Sequence, residues 1–277
     1  MKNKYYLIIV AIFTGALFMS VMNVDDLNAL LSVNDDTVRI RVAQWNIGKL
    51  NLGKPGKTSI TKDIRETKVA DYSSFIDDVQ ADIFFFNEFA PFFSLKDSIN
   101  EDKEDLTRNA ILSKYKECHY GPRYGANCNC IATNLSKLDS IKVVDYTKKD
   151  QHRYYLSSDI VVRGIKIKVV STHLDIKDER INQVKELLEA FANDKYVIIC
   201  GDFNIKAVSE YHVFKKNGYN VANHGFAGNI ITYRTSNSGA CLDNIITKGL
   251  DIVNVTAYKT ALSDHYAIAS DMILKLK

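Results

Sequence analysis

The sequence predicts one strand-rich α+β domain behind a short apolar leader, and three observations predict it. Runs of β-branched and aromatic residues, several at period two, recur along the chain and stop at turn-forming residues. Two longer stretches instead place apolar residues at helical spacing: Val69, Tyr72, Phe75, Ile76 and Val79, then Ile181, Val184, Leu187, Leu188 and Phe191. Polar side chains gather where the apolar runs end. Composition agrees, because 277 residues at 46% hydrophobic and 25% charged, with 3 prolines and 13 glycines, exclude disorder, collagen-like sequence and low-complexity linkers.

Residues 1–24 read as a targeting segment: Lys2 and Lys4, an apolar run from Tyr5 to Met22, then Asp25 and Asp26. The run's length lies between that of a secretory h-region and a membrane span of about 20 residues, so a signal peptide and an N-terminal anchor both remain open. A buried N-terminal helix is the alternative. Lysines before the run and acids after it place the bulk of the chain outside the cytoplasm, secreted, periplasmic or held at a membrane by the leader. Residues 25–37 then form a linker and 38–277 the domain. The formal charge is +3 with two of the lysines in the leader, so charge does not advertise a nucleic-acid binder. Five cysteines leave at least one unpaired in a monomer. An exported location would permit one disulfide from Cys118 to Cys128 or Cys130, whereas Cys200 ends an apolar strand and belongs in the core.

Within the domain, Val38 to Asn46 alternates as a strand and runs into Trp45-Asn46. The stretch from Lys49 to Lys68 is basic, with a loop marked by Gly53, Pro55 and Gly56, and the first amphipathic helix follows. Asp82 to Phe86 is a short buried strand that delivers Asn87-Glu88. Asp97 to Asp105 is acidic and suits a solvated helix or loop, and Ile131 to Asp145 suggests two short strands. Tyr155 to Val162 and Ile165 to Thr172 flank Arg163-Gly164 as a hairpin. His173 closes its second strand, and the second amphipathic helix spans Asp178 to Asn193. Tyr196 to Cys200 is a buried strand followed by Gly201-Asp202-Phe203-Asn204. Strand-like runs near Asp243 to Thr247, Asp251 to Tyr258 and Tyr266 to Leu276 complete the chain, with Asp264-His265 before the last.

Asn46, Glu88, His173, Asp202, Asn204, Asp243, Asp264 and His265 thus all sit at or beside a strand terminus. If the strands form one sandwich, these groups converge on one rim. No serine or cysteine nucleophile stands in a recognisable elbow. Crowded carboxylates raise one another's pKa unless a cation lies among them. An oxygen-rich, sulfur-free donor set suits Mg²⁺, with Mn²⁺ as a substitute. Such an ion polarises a phosphoryl oxygen while a carboxylate activates water and histidine and asparagine donors meet the developing charge. Taken singly, each piece has a plain structural explanation: GDFN suits a turn and SDH a cap or turn. Their joint occurrence in order favours a site.

Trp45-Asn46, Asn87-Glu88, Ser171-Thr172-His173-Leu174-Asp175, Gly201-Asp202-Phe203-Asn204, Leu242-Asp243-Asn244-Ile245 and Ser263-Asp264-His265 resemble the successive motifs of the endonuclease/exonuclease/phosphatase superfamily. The resemblance runs from about residue 38 to 275. It implies a deoxyribonuclease I-like fold, a four-layer α/β/β/α sandwich of two mainly antiparallel sheets flanked by helices. It implies Glu88 as the principal Mg²⁺ ligand, with Asn46 and Asp264 assisting at the metal or through its waters. Asp202 would activate the attacking water, and Asn204 would hold that water and a phosphate oxygen. His265, oriented by Asp243, and His173 would meet the scissile phosphate. Arg123 lies where some nuclease members carry a phosphate-contacting arginine, and Arg180 and Gln183 match a family pairing that holds the second amphipathic helix to its neighbours. The implied activity is hydrolysis of a phosphate ester, with nucleic acid first among the substrates and no protein partner implied. A lipid- or inositol-phosphate phosphatase, a sphingomyelinase-like phosphodiesterase, or an inactive binding module on the same fold are the alternatives. A calcineurin-like metallophosphatase is excluded, since Ile205-Lys206 follow GDFN and no GNH occurs.

Overall fold

The leader forms a hairpin and not a helix: Tyr6–Phe13 (β1) and Ala16–Asn23 (β2) pair antiparallel, with Phe13 opposite Ala16, in the computed structural model. The structure describes residues 6–13, 16–23, 36–50, 62–90, 101–124, 127–149, 151–234 and 239–276. A run that is apolar on every face carries no periodicity to separate strand from helix. Among the described residues no helix is long and apolar enough to cross a membrane. The hairpin falls in a unit of residues 1–38 and 275–277, and residues 39–274 form a second unit. Of the linker read at 25–37, residues 25–35 lie outside the described residues and Thr37 already belongs to a strand, and much of the basic stretch after Lys49 lies outside them as well.

The second unit is built on two six-stranded sheets. Its elements run Thr37–Asn46 (β3), Lys62–Val79 (α1), Ile83–Asn87 (β4), Glu101–Ile111 (α2), Glu117–Tyr120 (β5), Cys130–Thr133 (β6), Asp139–Asp145 (β7), Tyr154–Val162 (β8), Ile165–His173 (β9), Glu179–Ala190 (α3), Val197–Asp202 (β10), His212–Lys216 (α4), Asn220–Val221 (β11), Tyr233–Arg234 (β12), Gly239–Ala240 (β13), Asp243–Lys248 (β14), Leu250–Tyr258 (β15) and Ala267–Lys275 (β16). One sheet has the order β15-β16-β3-β4-β6-β5 and the other β11-β14-β10-β9-β8-β7. Among the pairings resolved in register, β3 with β4 and β9 with β10 are parallel and the rest antiparallel. The acidic stretch read as helix or loop is helical from Glu101 onward as α2.

Alternation assigns each strand two faces. Ala43 and Trp45 of β3, with Phe84 and Phe86 of β4, pack against Tyr72, Ile76 and Val79 of α1 and Ile111 of α2. On the other sheet, Val170 and Ile199 pack with Val184 and Leu187 of α3. The remaining faces meet between the sheets, where polar side chains stitch them together. Asn87 accepts from Gln44 Nε2 and from the Asp202 amide, each at 2.8 Å, and donates to the Thr172 carbonyl. This is the α/β/β/α sandwich expected. The Arg163-Gly164 hairpin turn has φ of 50° and 80°, the doubly positive geometry of a tight hairpin turn.

One expectation needs correction, and one open question receives an answer. Ile181 is 47% exposed and does not share the buried stripe of α3, because it lies in the first turn, at the edge of the apolar arc. None of Cys118, Cys128, Cys130, Cys200 and Cys241 is disulfide-bonded in this structure. Cys118 and Cys130 are diagonal neighbours across β5 and β6, opposite Ala132 and Tyr120, and not a directly facing pair.

Candidate active site

Register alone lines up the centre of the site. The parallel pair β9 and β10 ends with His173 opposite Asp202, and the antiparallel start of β14 sets Asp243 opposite Asp202 on its other side. In the facing sheet, β3 and β4 end with Asn46 opposite Asn87, so Glu88 follows at the same edge. His265 enters this row just before β16, held by its backbone amide on Ser263 Oγ at 3.0 Å, and Ser263 in turn donates to the Asn46 carbonyl at 2.7 Å.

Gly201 explains part of the Gly-Asp-x-Asn pattern. A Cβ there would stand 1.9 Å from the Thr172 carbonyl oxygen, so only glycine lets β10 lie this close to β9. Glu88 and Asn204 both adopt left-handed backbone, with φ of 54° and 52°. For asparagine this is tolerated, whereas for glutamate it is strain of the kind concentrated at functional positions.

The carboxylate of Asp202 is buried and surrounded. It accepts from Asn46 Nδ2 at 3.0 Å and from the Asn204 amide at 3.0 Å. His173 Nε2 lies 3.4 Å away and His265 Nε2 3.8 Å away. Burial, then the Asp243 charge, pushes its pKa up to about 6, against the pull of His265 and the two N–H donors. Asp243 Oδ2 lies 2.7 Å from His265 Nδ1. Burial opposes charge on that imidazole, but Asp243, with Asp202 and Asp264, outweighs it and raises the pKa to about 10. His173 is held neutral, first by burial and then by Arg153, His265 and Lys49. Its Nδ1 has no hydrogen-bond partner among the described residues. One histidine is therefore charged and the other neutral around one carboxylate.

Asn46, Glu88, His173, Asp202, Asn204, Asp243, Asp264 and His265 thus meet at one edge, and most of them line a cleft of about 1000 Å³. Asn46 turns its amide N–H toward Asp202 and Glu88 and its Oδ1 toward the Gly48 amide. It is a donor to the carboxylates in this arrangement. Asp202, Asp243 and His265 offer ligand atoms within 4.8 Å of one another. Since Asp243 and His265 are bonded to each other, Glu88 and Asp264, both on the cleft wall, are the better oxygen donors for a hard cation. The donor set fits such an ion, because several carboxylates share one polar cleft and Asp202 is already driven toward protonation without it.

Arg123, expected at a phosphate, is not among the residues lining the cleft, whereas Arg153 is. Arg153 is buried, lies 3.4 Å from Asp175 Oδ1 and donates to Asn127 Oδ1 at 2.9 Å. Sequence reading missed it by following the ends of strands. β8 runs antiparallel to β9, so it is the start of β8 that faces the rim. Tyr124 and Tyr233 on the cleft wall were missed as well. Gln183 bonds reciprocally with Asp175, through its Nε2 at 2.6 Å and the Asp175 amide at 2.9 Å, and Arg180 grips Glu210 through two contacts at 3.0 Å. Both hold α3 in place as the motif resemblance implied.

The chain belongs to the endonuclease/exonuclease/phosphatase family, whose profile matches residues 43–265, from β3 through His265. No curated protein matches its sequence. Among solved structures it is similar to TDP2 of D. rerio complexed with a single-strand DNA product, at 15% identity and TM-score 0.62, over 84% of this chain and 98% of that one. The human nocturnin catalytic domain with a bound sulfate anion aligns at 18% identity and TM-score 0.60, over 86% and 96%. An endonuclease/exonuclease/phosphatase family protein from Bacteroides thetaiotaomicron aligns at 15% and 0.62, over 87% and 100%. These likenesses establish the deoxyribonuclease I-like fold.

Proposed function

We propose that this protein is a divalent-metal-dependent phosphodiesterase that hydrolyses nucleic acid by in-line attack of water. The observation that carries the reading is the placement of Asp202 between His173 and His265, with Asp243 holding His265 charged. A base and two imidazole donors then face one point, as attack on a phosphoryl group requires. Asp202 takes the proton from the attacking water, and Asn204 Oδ1 orients that water. His265 donates to a non-bridging oxygen as negative charge builds there. His173, neutral, is the second donor, and Arg153 neutralises the phosphate. Glu88 and Asp264 would hold Mg²⁺, or Mn²⁺ in its place, with Asn46 keeping Glu88 and Asp202 apart. That ion, when bound, supplies Lewis-acid polarisation of a phosphoryl oxygen.

Nucleic acid as the substrate class is supported by the cations lining the cleft, Lys49, Arg153 and Lys206, and by the likeness to D. rerio TDP2 complexed with a single-strand DNA product. The full chain, assayed in one Mg²⁺ buffer against plasmid, single-stranded DNA, RNA, sphingomyelin and inositol phosphates, should cleave nucleic acid and stop with EDTA. Turnover of lipid or inositol phosphate alone would overturn the substrate class, and full activity in EDTA would overturn the metal requirement.

A further inference from the structure

The cleft runs across the strands, and topology fixes what stands at its two ends. Strand order places the rim groups in sequence: His265 before β16 and Asp243 at the start of β14, then Asn46 and Asp202 ending β3 and β10, then Glu88 and His173 after β4 and at the end of β9. Beyond them, Tyr124 lies in the loop before β6, with His152 and Arg153 before β8. The reacting centre is therefore in the middle, and each end carries an aromatic ring. At one end Tyr124 stacks on His152, with centroids 5.0 Å apart and planes at 25°, and meets the Tyr154 ring edge-on at 5.7 Å. Tyr154 is fixed beneath it, donating to the Pro122 carbonyl and accepting from the Asn129 amide. At the other end Tyr233 lies 4.9 Å from the His265 ring and forms a backbone bridge to that residue.

Neither tyrosine belongs to the core, and both remain partly open on the wall of a polar cleft. A cleft of about 1000 Å³ holds more than one phosphate group. A headgroup rich in phosphates offers no planar face to these rings, whereas rings on either side of a phosphate-binding centre match planar bases.

We infer that the cleft takes single-stranded nucleic acid with one base on each side of the scissile phosphate, the first stacked on Tyr124 backed by His152 and the second on Tyr233. The inference rests on the nucleic-acid phosphodiesterase reading and adds strandedness and the groups that enforce it. In a duplex, neighbouring bases stack on each other and are not available to two separate platforms.

The test compares kcat/KM on three substrates: a single strand cleavable at one phosphate, the same strand with tetrahydrofuran abasic sites on both sides of that phosphate, and the strand annealed to its complement. Removing the bases should lower kcat/KM at least about tenfold, and pairing should lower it similarly, since base–aromatic stacking of this strength is typical. Tyr124→Ala should shrink the ratio of intact to abasic strand at least about fivefold, chiefly through KM. Tyr124→Phe should preserve the ratio. Equal cleavage of intact and abasic strands, a duplex cut as fast as the single strand, or a Tyr124→Ala loss shared by both strands would overturn the inference. If no strand is cleaved, the phosphodiesterase reading fails separately. Stacking is then decided by 2-aminopurine fluorescence on binding in EDTA: quenching lost in Tyr124→Ala supports the inference, and unchanged quenching or no binding overturns it.

Discussion

Replacing Asp202 by asparagine should abolish turnover and yet make the metal-free protein more stable at neutral pH. The folded state raises this carboxyl from 3.8 to about 6, mainly by burying it and secondarily through Asp243. A shift of about two units corresponds to roughly 3 kcal/mol. The sign follows from linkage: a carboxyl whose pKa is raised by folding favours the fold below about 3.8, and that advantage is lost as pH rises to about 6. At pH 7.5 the charged group therefore opposes folding by about that amount. Asparagine removes the charge but has one acceptor for the two N–H groups that Asp202 now satisfies, Asn46 Nδ2 and the Asn204 amide. Losing one of those bonds costs about 1–1.5 kcal/mol. The net expectation is a gain of about 1–2 kcal/mol at pH 7.5, or roughly 2–8 °C in Tm. Thermal and urea unfolding in EDTA at pH 7.5 and pH 4 would measure it, beside a loss of at least about 10²-fold in kcat with Mg²⁺ present. The gain should vanish at pH 4, where Asp202 is largely protonated. A variant less stable at pH 7.5, or equally stabilised at both pH values, would refute the account of a carboxylate crowded for function.

Asp243→Asn should lower kcat by about 10²–10⁴-fold. It should also move the alkaline limb of the rate profile down: Asp243 holds the His265 pKa at about 10, and without that charge the imidazolium loses its proton nearer 6.5. A rate profile from pH 6 to 10 checks this, and an unmoved limb would show that Asp243 does not set the charge. Gly201→Ala should cost about 3 kcal/mol or more because its Cβ would meet the Thr172 carbonyl at 1.9 Å, backbone that cannot swing aside. Urea midpoints would read the loss, and a wild-type midpoint would mean that β9 and β10 are not in this close contact.

Much of the site was legible because its residues punctuate apolar strands. Asn46, Glu88, His173, Asp202, Asn204, Asp243, Asp264 and His265 each interrupt or bound a run whose burial needs no polar group. The alternation of β3, the helical spacing in α1 and the two-residue Arg163-Gly164 turn were local signals and gave local structure directly. Ile181 escaped because helical spacing marks the centre of an apolar stripe more firmly than its edges. The β1–β2 pairing of the leader was not legible because an all-apolar run has no period to read.

What the sequence determined, then, was the set of strands, the residues that end them and the chemistry those residues can perform, because period and turn chemistry act over a few positions. What only the tertiary structure decided was direction and register. The parallel pairing of β9 with β10 and the antiparallel start of β14 put His173, Asp202 and Asp243 in one row. The reversed course of β8 carried Arg153, and with it the Tyr124–His152 stack, to the same rim. Pairing partners are chosen by the burial of whole faces and the closure of long loops, and neither is written in any short stretch of the chain.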